Sequence, residues 1–135
     1  MNEKCVFCAI AEGSVPSFKI YEDDRVVSFL DINPFSRGHA LVVPKLHMRD
    51  ILSCDDETLS ATVCRVKKIA SHIAGKLGAK GFNILQNNGE AAGQTVKHLH
   101  FHIVPRYDGS TIAFESGAGD MEELARLADT LKFQD

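Results

Sequence analysis

A chain of 135 residues, 44% hydrophobic and 24% charged, has the length for a single domain (1–135) built on one core. Its net charge of -3 gives no reason to expect a nucleic-acid polymer or an anionic membrane as partner, although a local site can still take a small anion. No apolar run reaches the length of a membrane span and no signal-peptide pattern opens the chain, so the cytoplasm is the expected compartment and the cysteines read as free thiols or metal ligands before disulfides. Cys5 to Ala11 reads as a short helical or looped opening, closed by Gly13 and Pro16. Strands are expected at Phe18–Tyr21 and Val26–Leu30, with a turn over Glu22–Arg25 between them. Asn33-Pro34-Phe35-Ser36-Arg37-Gly38 is a break, and Ala40–Val43 a third strand stopped by Pro44. Ser53 is the expected N-cap of a long helix, with Asp55, Asp56 and Glu57 in its first turn, where acids complement the helix dipole. Leu59, Val63, Val66, Ala70, Ile73 and Leu77 recur at three- and four-residue steps, and Gly78 ends the helix. Phe82–Gln86 is a fourth strand, followed by a polar loop over 87–94. A last helix starts from Asp120 and runs through Leu124, Leu127 and Leu131. Short connections between strands predict an α+β fold: a mainly antiparallel sheet of about five strands, one long helix and short terminal helices.

The most informative run is His98-Leu99-His100-Phe101-His102-Ile103-Val104-Pro105. Strand side chains alternate faces, so a strand here puts three imidazoles on one face and Leu99, Phe101 and Ile103 on the other. Imidazole is the side chain suited to act near neutral pH as base, acid, nucleophile or metal ligand. Gln94-Thr95-Val96-Lys97 leads into the histidines from a glycine-bearing polar loop, which offers backbone N–H groups, an amide and a hydroxyl as a phosphate site. Taken alone, Asn87-Asn88-Gly89 is a tight turn and Asp31 a strand-end turn cap. Cys5-x-x-Cys8 could supply two thiolates to one metal ion, which would need two further ligands. Cys54 and Cys64 have no usual metal spacing and read as buried small apolar groups, and His72 as a surface or packing histidine.

Gln94-Thr95-Val96-x-His98-x-His100-x-His102 resembles the signature of the histidine triad (HIT) family of nucleotide-binding proteins and nucleotide hydrolases. Tyr21–Asp24, Phe29–Ile32, Gly38–Lys45 and Asn87-x-Gly89 fall in that family's order, so the likeness covers nearly the whole chain. Cys5-x-x-Cys8 and Ile103-Val104-Pro105-Arg106 resemble prokaryotic-type members near the phosphoramidase branch. The resemblance implies a HIT-like fold and a catalytic set of His100, His98, His102 and His39. His100 matches the nucleophile, with its other ring nitrogen held by a backbone carbonyl. His102 matches the phosphate-binding histidine, and His39 a distant fourth histidine that supports the site. Gln94, Thr95 and Asn87 match phosphate-side contacts, and Asp31 the carboxylate that accepts from the ribose hydroxyls. Ile32, Phe29, Phe7, Val6, Ile10 and Leu41 match the apolar slot for the base. Some related bacterial-type proteins hold zinc on positions that correspond here to Cys5, Cys8, His47 and His98, which implies a structural zinc.

The implied activity is hydrolysis at the α-phosphate of a purine nucleoside phosphoramidate or related nucleotide conjugate, releasing AMP or GMP and an amine. The implied partners are that purine nucleotide and a second copy of the chain, in a homodimer. A dinucleoside polyphosphate hydrolase and a mainly non-catalytic nucleotide-binding module are the alternatives. A transferase fits less well, because the related branch typically replaces the third histidine and His102 is intact.

Overall fold

The computed structural model describes residues 5–109 and 116–134. Three helices, α1 (Val6–Glu12), α2 (Asp56–Leu77) and α3 (Met121–Leu131), accompany five strands. These are β1 (Lys19–Glu22), β2 (Val26–Leu30), β3 (Ala40–Pro44), β4 (Gly81–Leu85) and β5 (Phe101–Arg106). The strands form one sheet in the order β1-β2-β3-β5-β4, antiparallel at every pairing. The fold is therefore α+β. No helix among the described residues is long and apolar enough to cross a membrane.

Over β2 and β3 both faces of the sheet are covered, and both strands are buried at every position. Alternation sends Val26, Leu30, Ala40 and Val42 to a core shared with Ile69 and Ile73 of α2 and Leu127 of α3. Val27, Phe29, Leu41 and Val43 face the other way, against Phe7 and Ile10 of α1. This second, smaller layer is the one on which the histidines lie, since His102 pairs with Leu41 across the ladder.

Four local expectations are corrected. The N-cap of α2 is Asp55, whose carboxylate accepts from the Thr58 N–H at 3.0 Å. Ser53 is occupied in a turn, its N–H donating to Asp50 Oδ1 at 3.1 Å and its hydroxyl accepting from the Asp50 N–H at 3.2 Å. Val63 is 46% exposed, and Thr58 and Thr62 take the buried positions. Thr62 can do so because its hydroxyl is satisfied by the Thr58 carbonyl at 2.8 Å. Cys64, next to Val63 on the outward side of α2, is exposed rather than buried. Finally, β5 begins at Phe101, so His98 and His100 precede the ladder; the Leu99 N–H bonds the Met48 carbonyl at 2.7 Å instead. Burial still alternates, with Leu99, Phe101 and Ile103 all in the main core.

His72 is a packing residue. Its Nε2–H donates to the Leu131 carbonyl at 2.7 Å and its ring stacks on Phe133 with centroids 3.8 Å apart, which ties α3 to α2.

Candidate functional site

The three histidines of the run are made chemically different by what each ring nitrogen meets. His98 is fully buried, and its Nε2–H donates to the Pro44 carbonyl at the end of β3, at 2.8 Å. That bond leaves Nδ1 as the lone pair. His100 donates from Nδ1–H to the His98 carbonyl at 2.7 Å, leaving Nε2 as the lone pair. The edge of Phe7 meets the His100 ring with centroids 5.0 Å apart and planes at 83°, fixing its orientation.

His102 takes its tautomer from a relay. The Phe35 N–H donates to His39 Nδ1 at 2.9 Å, so His39 carries its proton on Nε2. That nitrogen lies 2.9 Å from His102 Nδ1, which must accept, so the His102 proton sits on Nε2. Gly38 makes the placement of His39 possible: its φ of +89° suits glycine, and a Cβ there would lie 2.6 Å from Leu77 Cδ1. The Phe35 ring packs on His39 with centroids 4.9 Å apart.

Burial dominates the electrostatics. It lowers the pKa values of His98 and His102 to about 4, and lowers that of His100 against the opposing pull of the His98 carbonyl and Asp31. His39 is lowered to about 4, by burial first and by the positive charge of Arg106 second. The site at neutral pH is thus a set of uncharged imidazoles. Asp31 Oδ2 lies 3.6 Å from His39 Nε2, but with His39 neutral this is a dipolar contact and no ion pair. Although Asp31, His39 and His102 have the spacing of a metal cluster, the Phe35 bond commits His39 to the wrong tautomer for a ligand at Nε2.

In front of His100 and His102 opens a cavity of about 380 Å³. Phe7, Val6, Ile10, Phe29, Leu41 and Ile32 line it, together with Asp31 and Thr95. Ser17 and Asn33, for which the sequence suggested no site role, also border it, as does Val96 of the signature. Asn87 and Gln94 do not. Gln94 is buried, and its amide is spent inside the loop: Oε1 accepts from the Gly89 N–H at 2.7 Å, and Nε2 donates to the carbonyls of Arg49 at 2.6 Å and Val96 at 3.0 Å. Gln94 thus braces the loop that presents Thr95. Asn88 shares that work, its Oδ1 accepting from the Ile51 N–H at 2.8 Å. No periodicity in the sequence marks either role.

A second cluster lies behind the first. Cys5 caps α1 and Cys8 is one turn on, so both sulfurs point to the same side. Cys5 Sγ is 3.3 Å from His98 Nδ1, Cys8 Sγ 3.3 Å from His47 Nδ1 and 3.5 Å from His98 Nδ1, and the two imidazole nitrogens are 3.2 Å apart. A zinc tetrahedron with about 2.3 Å to sulfur and about 2.0–2.1 Å to nitrogen has edges of about 3.3–3.8 Å. The donors fit such a site in type, number and spacing, and the Pro44 carbonyl gives His98 the tautomer a ligand needs. These four groups could hold a metal ion.

Known proteins share this arrangement's framework. The HIT domain profile matches residues 12–109. A HIT-like protein of Methanocaldococcus jannaschii is 49% identical over 125 residues, spanning 90% of this chain and 96% of its own. An adenosine 5′-monophosphoramidase of Candida albicans is 38% identical over 140 residues, spanning 97% of this chain and 91% of its own. The crystal structure of a zinc-bound histidine triad family protein from Mycobacterium smegmatis superimposes with a TM-score of 0.84 at 43% identity, covering 95% of this chain and 93% of that one.

Proposed function

This chain belongs to the HIT family, and we propose that it hydrolyses purine nucleoside phosphoramidates at the α-phosphate through a nucleotidyl-histidine intermediate. The observation that carries the reading is the tautomer of His100, a buried neutral imidazole whose Nε2 lone pair is freed by the bond from Nδ1–H to the His98 carbonyl. Reactivity toward phosphorus requires such a lone pair, held in one orientation beside a nucleotide-sized cavity. The phosphoramidase activity of the Candida albicans relative supports the reaction class.

In this mechanism the His100 Nε2 lone pair forms a bond to the α-phosphorus while the P–N bond to the leaving amine breaks. The leaving nitrogen takes its proton from water. His102 presents Nε2–H to a non-bridging phosphate oxygen and stabilises the charge that builds there. Water then attacks the phosphorus, the bond to His100 breaks, the water's proton passes to solvent, and the nucleoside monophosphate leaves. Thr95 offers a further donor at the phosphate end, and Asp31 binds the ribose. Rapid acid quench with labelled adenosine phosphoramidate, followed by peptide mapping, tests the assignment. Label is expected on His100 alone, and His100→Ala is expected to lose turnover while keeping nucleotide binding. Label on His98 or His102, or brisk turnover by His100→Ala, would refute it.

Cys5, Cys8, His47 and His98 are assigned to a structural zinc. Zinc bound there would cross-link α1, the segment after β3 and the histidine run, and would keep the sulfurs as thiolates. All four ligand positions are protein groups, so the role is architectural. A homodimer is assigned to the edge of β4, an outer strand of the sheet whose Phe82 and Ile84 are 44% and 42% exposed. An edge with large apolar side chains is a template for pairing with another strand.

A further inference from the structure

Two buried hydroxyls among the described residues, Ser17 Oγ and Ser36 Oγ, lack a hydrogen-bond partner in the protein. Ser36 sits in the turn before Gly38. Ser17 borders the cavity in front of the histidines.

Its position along that cavity follows from strand register. His102 of β5 pairs with Leu41 of β3, Leu41 with Phe29 of β2, and Phe29 with Lys19 of β1. The path from the histidines to β1 crosses three strand spacings, roughly 14 Å at about 4.8 Å each. That length takes a phosphate, a ribose and a base in line. The Leu30 N–H bonds the Phe18 carbonyl at 3.0 Å, so Ser17 lies just outside β1, beside the end of β2 that carries Asp31. With phosphorus held at His100 and the ribose at Asp31, Ser17 stands at the base end. Its neighbours there, Val15, Pro16 and Phe18, have no side-chain hydrogen-bonding group. Asn33 also borders the cavity but is exposed, so a bond it makes to a ligand only replaces one to water.

We propose that Ser17 is a specificity-determining residue whose hydroxyl hydrogen-bonds the 6-substituent of a purine base, a reading that rests on the nucleotide assignment above. A serine hydroxyl both donates and accepts, so it can take the amino group of adenine or the carbonyl of guanine. With no partner holding it, a staggered step about χ1 brings Oγ from its shielded position toward the cavity. Pairing with the base then removes the penalty of an unsatisfied buried hydroxyl.

The test is a binding cycle. Calorimetric affinities are measured for AMP and for purine riboside 5′-monophosphate, which lacks the 6-substituent, on wild type and Ser17→Ala. Wild type is expected to prefer AMP by roughly fivefold to tenfold, and Ser17→Ala to bind both equally. Ser17→Cys, similar in size and weaker in hydrogen bonding, should show the same loss. The melting temperature of ligand-free Ser17→Ala should be unchanged or raised, because no protein bond is removed; a purely structural serine would lower it. An AMP preference that survives in Ser17→Ala, or its absence in wild type, overturns the proposal while leaving nucleotide binding in place. Failure of wild type to bind either ligand overturns the nucleotide reading with it.

Discussion

Asp31 offers the sharpest quantitative test of the proposed nucleotide site. Its side chain is 20% exposed and its two oxygens have separate duties. Oδ1 accepts from the Asn33 N–H at 2.8 Å, which closes the turn after β2. Among the described residues Oδ2 has the 3.6 Å contact to neutral His39 and no hydrogen bond, so it is the oxygen expected to accept from the ribose hydroxyls. A hydrogen bond to a charged group contributes about 1.5–3 kcal/mol, or roughly 10- to 150-fold in affinity. Wild type should therefore bind AMP more tightly than 2′,3′-dideoxy-AMP by a factor in that range. Asp31→Asn keeps an oxygen for the Asn33 N–H and should retain the fold, but it replaces a charged acceptor by a neutral amide. The preference for AMP should fall severalfold in Asp31→Asn and vanish in Asp31→Ala, with affinity for the dideoxy nucleotide nearly constant. Titration calorimetry on the three proteins with both ligands reads this directly. Equal affinities of wild type for the two nucleotides would refute the ribose assignment and leave Asp31 as a turn residue alone.

Three further outcomes are expected. Elemental analysis of protein purified without chelator should give one zinc per chain, and Cys8→Ala or chelation should lower the thermal midpoint; even ~2 kcal/mol of lost stability moves a domain of this size by roughly 6–10 °C. Full stability in a metal-free preparation would end the structural role. Burial alone would raise the Asp23 pKa, but donors from Tyr21, Arg65 and the N–H groups of Arg25 and Val26 outweigh it and hold the carboxyl far below its usual value. A depressed folded-state pKa means stability present above the unfolded value of about 4 and lost as pH falls through the folded one, so Asp23→Asn should cost about 2 kcal/mol at pH 7 and flatten the acid limb of the denaturation profile below pH 4. Phe82→Lys combined with Ile84→Lys on the β4 edge should convert a dimer to a monomer in sedimentation; a wild type that sediments as a monomer at micromolar concentration would show that this edge has no partner copy.

Much of the fold is readable in the sequence because its signals extend over several residues. The short apolar runs of β2 and β3, the long apolar stripe of α2 and its Gly78 stop, and the capped start of α3 at Asp120 are all of this kind. The errors fall where two residues of similar chemistry compete for one place. Ser53 and Asp55 can both cap a helix, and the contest is decided by the Asp50 turn that occupies Ser53. Val63 beats Thr62 on hydropathy, yet Thr62 is buried because the helix carbonyl of Thr58 satisfies its hydroxyl. The family signature brings Gln94 to attention but says nothing of the bonds its amide already makes; Gln94 is bonded to Arg49, 45 positions away in the chain. The histidines show the same limit at the level of chemistry. Alternation places three imidazoles on one face and leaves them equivalent. What separates them is a carbonyl from the end of β3 on His98, the His98 carbonyl on His100, and the Phe35 N–H acting through His39 on His102. Those contacts turn the His98 lone pair toward Cys5, Cys8 and His47, leave the His100 lone pair on Nε2, and put the His102 proton on Nε2. The three imidazoles are thus told apart by their hydrogen-bond partners, those of His98 and His102 supplied by other parts of the fold, and not by alternation along the run.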